Sequence, residues 1–204
     1  MFRRNYSSAL LEEAVDQLAT LPGVGRRTAL RLALHLLDQP RENVEHFSGA
    51  LVRLRQDVHH CPVCGMISDD GSCPVCGDKR RDASVVCVVE SLRDVLSIEN
   101  TGQYNGLYHI LGGIISPIDG IGPGDLRIHE LGERLAQGGI HEVVLALSTS
   151  MEGETTAYYL YKKIAPYPVT VTAIARGVGF GDDLEYTDEL TLGRSITNRQ
   201  PFKP

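Results

Sequence analysis

Four cysteines fall in two copies of one pentapeptide, Cys61-Pro62-Val63-Cys64-Gly65 and Cys73-Pro74-Val75-Cys76-Gly77, placed 12 residues apart. Each C-x-x-C turn presents two thiols, and two such turns offer four sulfurs to one ion, the closed tetrahedral arrangement of structural zinc. That geometry leaves no open ligand position, so the metal is expected to stabilise rather than catalyse. A redox C-x-x-C would stand singly beside a strand-helix unit, which argues against thiol exchange here. Gly65 and Gly77 are both expected to take the left-handed conformation that closes such a turn. His59 and His60 directly precede the first pair and are either extra ligands or solvated side chains.

A second group is acidic. The apolar run Val143 to Leu147 stops at Ser148-Thr149-Ser150, and Met151-Glu152-Gly153-Glu154 opens a helical pattern. That reads as a buried parallel strand feeding a helix, and in open α/β sheets ligands bind past the carboxyl ends of such strands. Ser148, Ser150, Glu152 and Glu154 are therefore expected to face one site. The run Ser84 to Val89 is a second buried strand, and it ends at Glu90. A carboxylate there serves equally as a general acid or base and as a helix-opening residue. The stretch resembles the motif of Toprim domains, in which Asp-x-Asp ends a strand and x-Glu-Gly-Glu opens a helix. Serines 148 and 150 stand where that resemblance requires the two aspartates that hold magnesium. Hydroxyls are poor substitutes for carboxylates around a hard cation, so a Toprim-like scaffold without nuclease or topoisomerase chemistry is expected.

The third group is basic. Leu21-Pro22-Gly23-Val24-Gly25 precedes Arg26 and Arg27 and lies between two helical patterns, one carrying Leu11, Ala14, Val15 and Leu18, the other running from Arg26 to Leu37. This looks like a helix-hairpin-helix. Gly23 and Gly25 would let bare backbone N–H groups approach a phosphate at a helix opening, where the dipole favours negative charge. Two arginines in a first turn oppose that dipole, and a bound phosphate would remove the conflict. The bland alternative is a helical hairpin with two surface arginines.

These groups need elements to position them. A further helix, Arg41 to Val58, carries Val44, Phe47, Leu51 and Leu54 and is expected to pack on the hairpin. Strands at 84–89, 107–111, 143–147 and 169–174 alternate with helices, which predicts one parallel sheet with right-handed crossovers. The loop from Gly112 to Asp125 is long; Asp119 and Asp125 are candidate contacts there, with turn chemistry as the simpler role. Cys87 reads as a core residue. Lys79, Arg80 and Arg81 are either DNA contacts or a solvated linker. The segment from Arg176 to Asp183 is glycine-rich but lacks the dinucleotide fingerprint, and no phosphate-binding P-loop occurs. The tail from Leu184 carries scattered apolar residues and is expected to dock on its own or a neighbouring subunit's surface.

The 204 residues carry a formal net charge of −6, split as +1 over residues 1–60 and −7 over residues 61–204, so nucleic-acid contacts are expected near the N-terminus. Only four of the twenty basic residues are lysines, a bias that suits bidentate phosphate contacts. No apolar run reaches membrane length, and Glu12 and Glu13 interrupt any signal peptide, which predicts a cytoplasmic protein with reduced cysteines.

Taken in order, the glycine hairpin, the paired CPVCG knuckles, the sheet lacking its aspartates, and the IARG and GDDLEYTDELTLGR segments resemble the RecR family of recombination mediators over nearly the whole chain. Phe180-Gly181-Asp182 departs slightly from that family's wording. The resemblance implies a multidomain α and β protein: a helix-hairpin-helix region at 1–58, a four-cysteine zinc finger at 59–79, a Toprim domain with a parallel sheet at 80–175, and a C-terminal loop and tail at 176–204 that makes oligomer contacts. It implies a non-enzymatic DNA clamp, assembled as a tetrameric ring, that acts with RecO and RecF to load recombinase. Gly23, Gly25, Arg26 and Arg27 would hold double- or single-stranded DNA, Cys61, Cys64, Cys73 and Cys76 would hold zinc, and Glu90 and Glu152 would meet RecO. The rival classes are a magnesium-dependent Toprim nuclease or primase using Glu90, Glu152 and Glu154 with a borrowed acid such as Asp119, and a zinc-dependent adaptor that binds protein alone.

Overall fold

A computed structural model describes residues 6, 8–69, 71–179, 181–199 and 201; Phe180 of the terminal loop and the end of the tail at 202–204 lie outside them. The chain forms two compact units, Met1–Val58 and His59–Pro204.

The first unit holds α1 (Ala9–Leu18), α2 (Arg26–Leu37) and α3 (Arg41–Asp57). Ser8 caps α1 by accepting from the Leu11 N–H at 3.4 Å, one of the donors a helix start leaves unpaired. Val15 of α1 meets Ala29 and Ala33 of α2, all buried, and the two alanines let the helices approach closely. Gly23 has φ +78° with open space around its missing Cβ, so glycine is required there for conformation alone. None of α3 is buried, and Phe47, Leu51 and Leu54 remain about half exposed. The expected burial of α3 against the hairpin is thus not seen, because α1 and α2 already close their shared seam with their own side chains.

The second unit is built on a parallel sheet in the order β4-β3-β5-β6, with β3 (Asp82–Val89), β4 (Gly106–Ile110), β5 (Glu142–Ala146) and β6 (Thr170–Ala173). Strand alternation divides the sheet's two faces. Val86, Val88, Val143 and Leu145 pack under α6 (Ile128–Ala136) and α7 (Met151–Ile164), with Leu131, Leu135, Leu160 and Ile164. Cys87, Val89, Tyr108 and Ile110 pack on the other face against Val95 of α5 (Leu92–Glu99) and against Cys61, Cys64 and Cys73. The knuckle segment, a two-stranded β1-β2 ribbon (His59–His60, Ile67–Ser68) followed by the one-turn α4 (Pro74–Gly77), therefore acts as a covering layer of the sheet. Each fully buried valine or leucine contributes about 1.5–3 kcal/mol relative to exposure. A last helix, α8 (Glu189–Thr197), is capped by Asp188, which accepts from the Thr191 N–H at 2.9 Å. No described helix is long and apolar enough to cross a membrane.

Candidate functional site

The four sulfurs of Cys61, Cys64, Cys73 and Cys76 lie within 4.8 Å of one another, and those of Cys64 and Cys73 are 3.4 Å apart. Zinc–sulfur bonds of about 2.3 Å require sulfurs about 3.8 Å apart in a tetrahedron, so the donor set fits zinc. Backbone N–H groups turn toward the sulfurs: Met66 donates to Cys64 Sγ at 3.5 Å and Cys76 to Cys73 Sγ at 3.3 Å. Burial pushes the Cys61 thiol up, but the backbone groups of Cys73, Cys64 and Val63 outweigh it and bring it down to about 6. Cys64 is pushed far up by its hydrogen bond with Cys76 and by burial, and Cys73 is raised chiefly by burial. Adjacent thiols cannot all ionise unaided, and a dication reverses that balance. Gly65 has φ +80° as expected, whereas Gly77 ends α4 without positive φ; the second knuckle closes as a helical turn with Pro74 at its start. His60 bonds the Gly65 carbonyl oxygen through Nδ1 at 3.1 Å, and neither histidine joins the sulfur cluster.

At the carboxyl ends of β3 and β5, Glu90 Oε1 accepts from the Ser148 N–H at 2.5 Å. Ser91, not Glu90, opens α5, in a capping box with Asp94. Ser148 Oγ and Ser150 Oγ are 3.0 Å apart, and Ser150 Oγ caps α7 by accepting from the Gly153 N–H at 3.0 Å. Glu154 points to the C-terminal segment instead: Arg176 pairs with its carboxylate, and Arg194 of α8 reaches the same oxygen at 3.3 Å. The expected convergence of Ser148, Ser150, Glu152 and Glu154 is thus partial. Glu154 is committed to two arginines that sequence patterns give no reason to pair with it. Asp119 accepts from Ser116 Oγ at 2.6 Å and Asp125 from the Gly122 N–H at 2.8 Å, which is turn chemistry. Among the described residues, the four cysteines are the one group of three or more His, Cys, Asp or Glu side chains close enough to share an ion.

In the first unit, Gly25 is the N-cap residue of α2 and gives it no side-chain cap. The N–H groups of the first turn have no intrahelical acceptor, and Arg26 and Arg27 stand exposed beside them. Arg26 pairs with Asp16 of α1 at 2.9 Å, with both side chains about half exposed. Of the basic run, Arg80 pairs with Asp78 and Arg81 with Glu99. The tail docks on its own chain, through the Arg194–Glu154 pair and through Ser195 Oγ, which accepts from the Val178 N–H at 3.0 Å.

The chain matches, in order, the RecR helix-hairpin-helix over residues 11–55, the four-cysteine zinc finger domain of RecR over 58–78, the Toprim domain over 84–175 and the RecR C-terminal region over 177–200. It is 60% identical to the recombination protein RecR of Porphyromonas gingivalis over 199 residues, covering 98% of this chain and 96% of that one. It is 58% identical to the RecR of Parabacteroides distasonis over 98% of this chain and 96% of the other, and 52% identical to that of Flavobacterium johnsoniae over 97% and 96%. With the zinc-finger match, the four-sulfur cluster is a structural zinc site.

Proposed function

The chain belongs to the RecR family of recombination proteins, and from that premise we propose that it is a recombination mediator in DNA repair: a DNA clamp without catalytic chemistry that acts with RecO and RecF to load recombinase on gapped or single-stranded DNA. One observation carries the reading against a Toprim nuclease or primase. Glu154, the last acid of the motif, is neutralised by Arg176 and Arg194.

In this proposal residues 1–58 bind DNA, 59–79 hold zinc, 80–175 form the Toprim scaffold and 176–204 make oligomer contacts. Gly23, Gly25, Arg26 and Arg27 grip phosphates without reading bases; the uncapped start of α2 supports this. Glu90 and Glu152 lie on the surface offered to RecO. The subunits close into a tetrameric ring, which retains DNA topologically and repeats a few weak phosphate contacts. Exposed Phe47, Leu51, Leu190 and Ile196 supply apolar surface for such assembly. A thiolate zinc centre needs reduced cysteines, which supports a cytoplasmic location.

The test is a titration of the purified protein onto labelled duplex and single-stranded DNA at several salt concentrations, with magnesium present and strand integrity read on a denaturing gel. Intact DNA bound with steep salt dependence is expected. Cut DNA would overturn the non-enzymatic assignment. Intact DNA left unbound, even with RecO added, would replace the clamp by a protein-only adaptor.

A further inference from the structure

Zinc held by four thiolates is formally dianionic, and burying such a centre calls for compensating charge and fixed ligands. The cations at the end of the finger and just after it are spent elsewhere: Arg80 on Asp78, Arg81 on Glu99 and the Gly106 carbonyl oxygen, while Lys79 is exposed. The sheet domain supplies two others, Arg134 and Arg127, the second also paired with Glu130 at 3.5 Å. Arg127, the N-cap residue of α6, donates from Nη1 to the Cys61 carbonyl oxygen at 3.4 Å and from Nη2 to that of Pro62 at 3.0 Å. Its backbone is itself anchored to β4 and the residue after it: its N–H donates to the Leu111 carbonyl oxygen at 3.0 Å, and its carbonyl oxygen lies 2.7 Å from His109 Nε2. Gly65 packs so tightly on this guanidinium that a Cβ there would overlap it.

Further along α6, Arg134 donates from Nη1 to the Tyr108 carbonyl oxygen at 2.7 Å, and Tyr108 lies in the buried cluster that contains Cys61, Cys64 and Cys73. Burial opposes the charge of Arg134, while Cys76, Cys64 and Cys61 are near enough to favour it. The first knuckle is also bonded to the sheet directly, since the Ile110 N–H donates to the Cys64 carbonyl oxygen at 2.7 Å.

We propose that α6 supplies the outer shell of the zinc centre: Arg127 is a positioning residue that grips the first knuckle through the Cys61 and Pro62 carbonyls, and Arg134 is the half-buried counter-charge to the thiolates. The inference rests on zinc filling the four-cysteine site, and it couples the metal to the sheet through one helix.

Zinc content of the full-length parent, measured first, tests occupancy on its own. Zinc release into a chromogenic chelator is then compared at fixed pH for Arg127→Ala, Arg134→Gln, Arg134→Lys and, as a control, Arg80→Ala. Outer-shell partners typically change metal affinity about 10–100-fold. Release about ten-fold faster or more is expected for Arg127→Ala and Arg134→Gln, with Arg134→Lys and Arg80→Ala near the parent. Rates within about two-fold of the parent for the first two would overturn the proposal. If either purifies without metal, full retention by Arg134→Lys supports the counter-charge and its loss there refutes it. In the cobalt-substituted protein, Arg134→Gln is expected to move the thiolate-to-cobalt absorption to longer wavelength, because the sulfur electrons lose a stabilising cation. An unmoved band would remove the electrostatic role.

Discussion

The backbone N–H of Ser148 donates to Glu90 Oε1 over 2.5 Å, tying the end of β5 to the end of β3. The carboxylate that the acidic pattern would assign to a metal is therefore occupied by the backbone of its neighbour strand. Introducing Ser148→Asp with Ser150→Asp places a new carboxylate near Glu90, a repulsion that a divalent cation relieves, and aspartate at 150 can still cap α7. The double variant is expected to bind magnesium measurably by titration calorimetry where the parent gives no heat. No heat from the variant would mean that restoring the two aspartates does not suffice to build a magnesium site.

Gly153 is needed for space rather than for conformation. It sits inside α7 without positive φ, yet a Cβ there would overlap the carbonyl oxygen and Oγ of Ser148. Gly153→Ala is expected to cost about 2 kcal/mol or more, since the obstacle is backbone and cannot swing away. Gly124→Ala, with open space and no positive φ, should be nearly neutral. Equal thermal midpoints for the two variants would contradict this.

The four sulfurs, the four sheet strands and α2 from Arg26 to Leu37 were legible because each rests on local signals: knuckle spacing, unbroken apolar runs and helical periodicity. What could not be read is long-range. Arg176 and Arg194 meet Glu154 only because β6 and α8 return to the start of α7, and Arg127 meets Cys61 across 66 positions of sequence. Charged residues carry no periodicity that names their partner. The different closure of the second knuckle at Gly77 was likewise hidden, because two identical pentapeptides sit in different surroundings.

Removing zinc is expected to loosen the sheet as well as the finger, because Cys61, Cys64 and Cys73 share a core with Cys87, Val89 and Tyr108. The rings of Tyr104 and Tyr108, with centroids 5.1 Å apart, provide a reporter in a chain without tryptophan. Cys73→Ser, or chelation of the parent, should abolish their near-ultraviolet circular dichroism and lower the thermal midpoint. An unchanged tyrosine signal in metal-free protein would show that the sheet stands without its metal layer.

In the proposed DNA contact, Arg26 would divide its charge between Asp16 and a phosphate. Their 2.9 Å pair is about half exposed and worth less than about 1 kcal/mol, so Asp16→Asn should tighten DNA binding by up to about five-fold at low salt. Arg26→Ala with Arg27→Ala should weaken binding on every sequence and reduce the salt slope by about two. Slopes equal to the parent's would remove these arginines from the DNA contact.

His109 is fully buried, and its Nε2 faces the Arg127 carbonyl oxygen at 2.7 Å. A carbonyl can only accept, so Nε2 carries the proton, and Nδ1 is left without a partner among the described residues. Burial holds the imidazolium down to about 4 from an ordinary 6.5; Arg134 and Arg127 push the same way, against the Arg127 carbonyl and Glu130. As pH falls below about 6.5 the unfolded chain takes up a proton that the folded one refuses, so stability drops until about pH 4 and then levels off. The loss at pH 5 is on the order of 2 kcal/mol relative to pH 7. His109→Gln keeps an amide donor for the Arg127 carbonyl but does not titrate, so urea unfolding at the two pH values should show a smaller loss by about that amount. Other groups, such as Glu99, which the Arg81 pair holds below the usual carboxylate range, contribute equally to both proteins and cancel in the comparison. Identical losses would mean that His109 protonates in the folded state, and that burial does not keep neutral the ring that anchors Arg127 beneath the zinc knuckle.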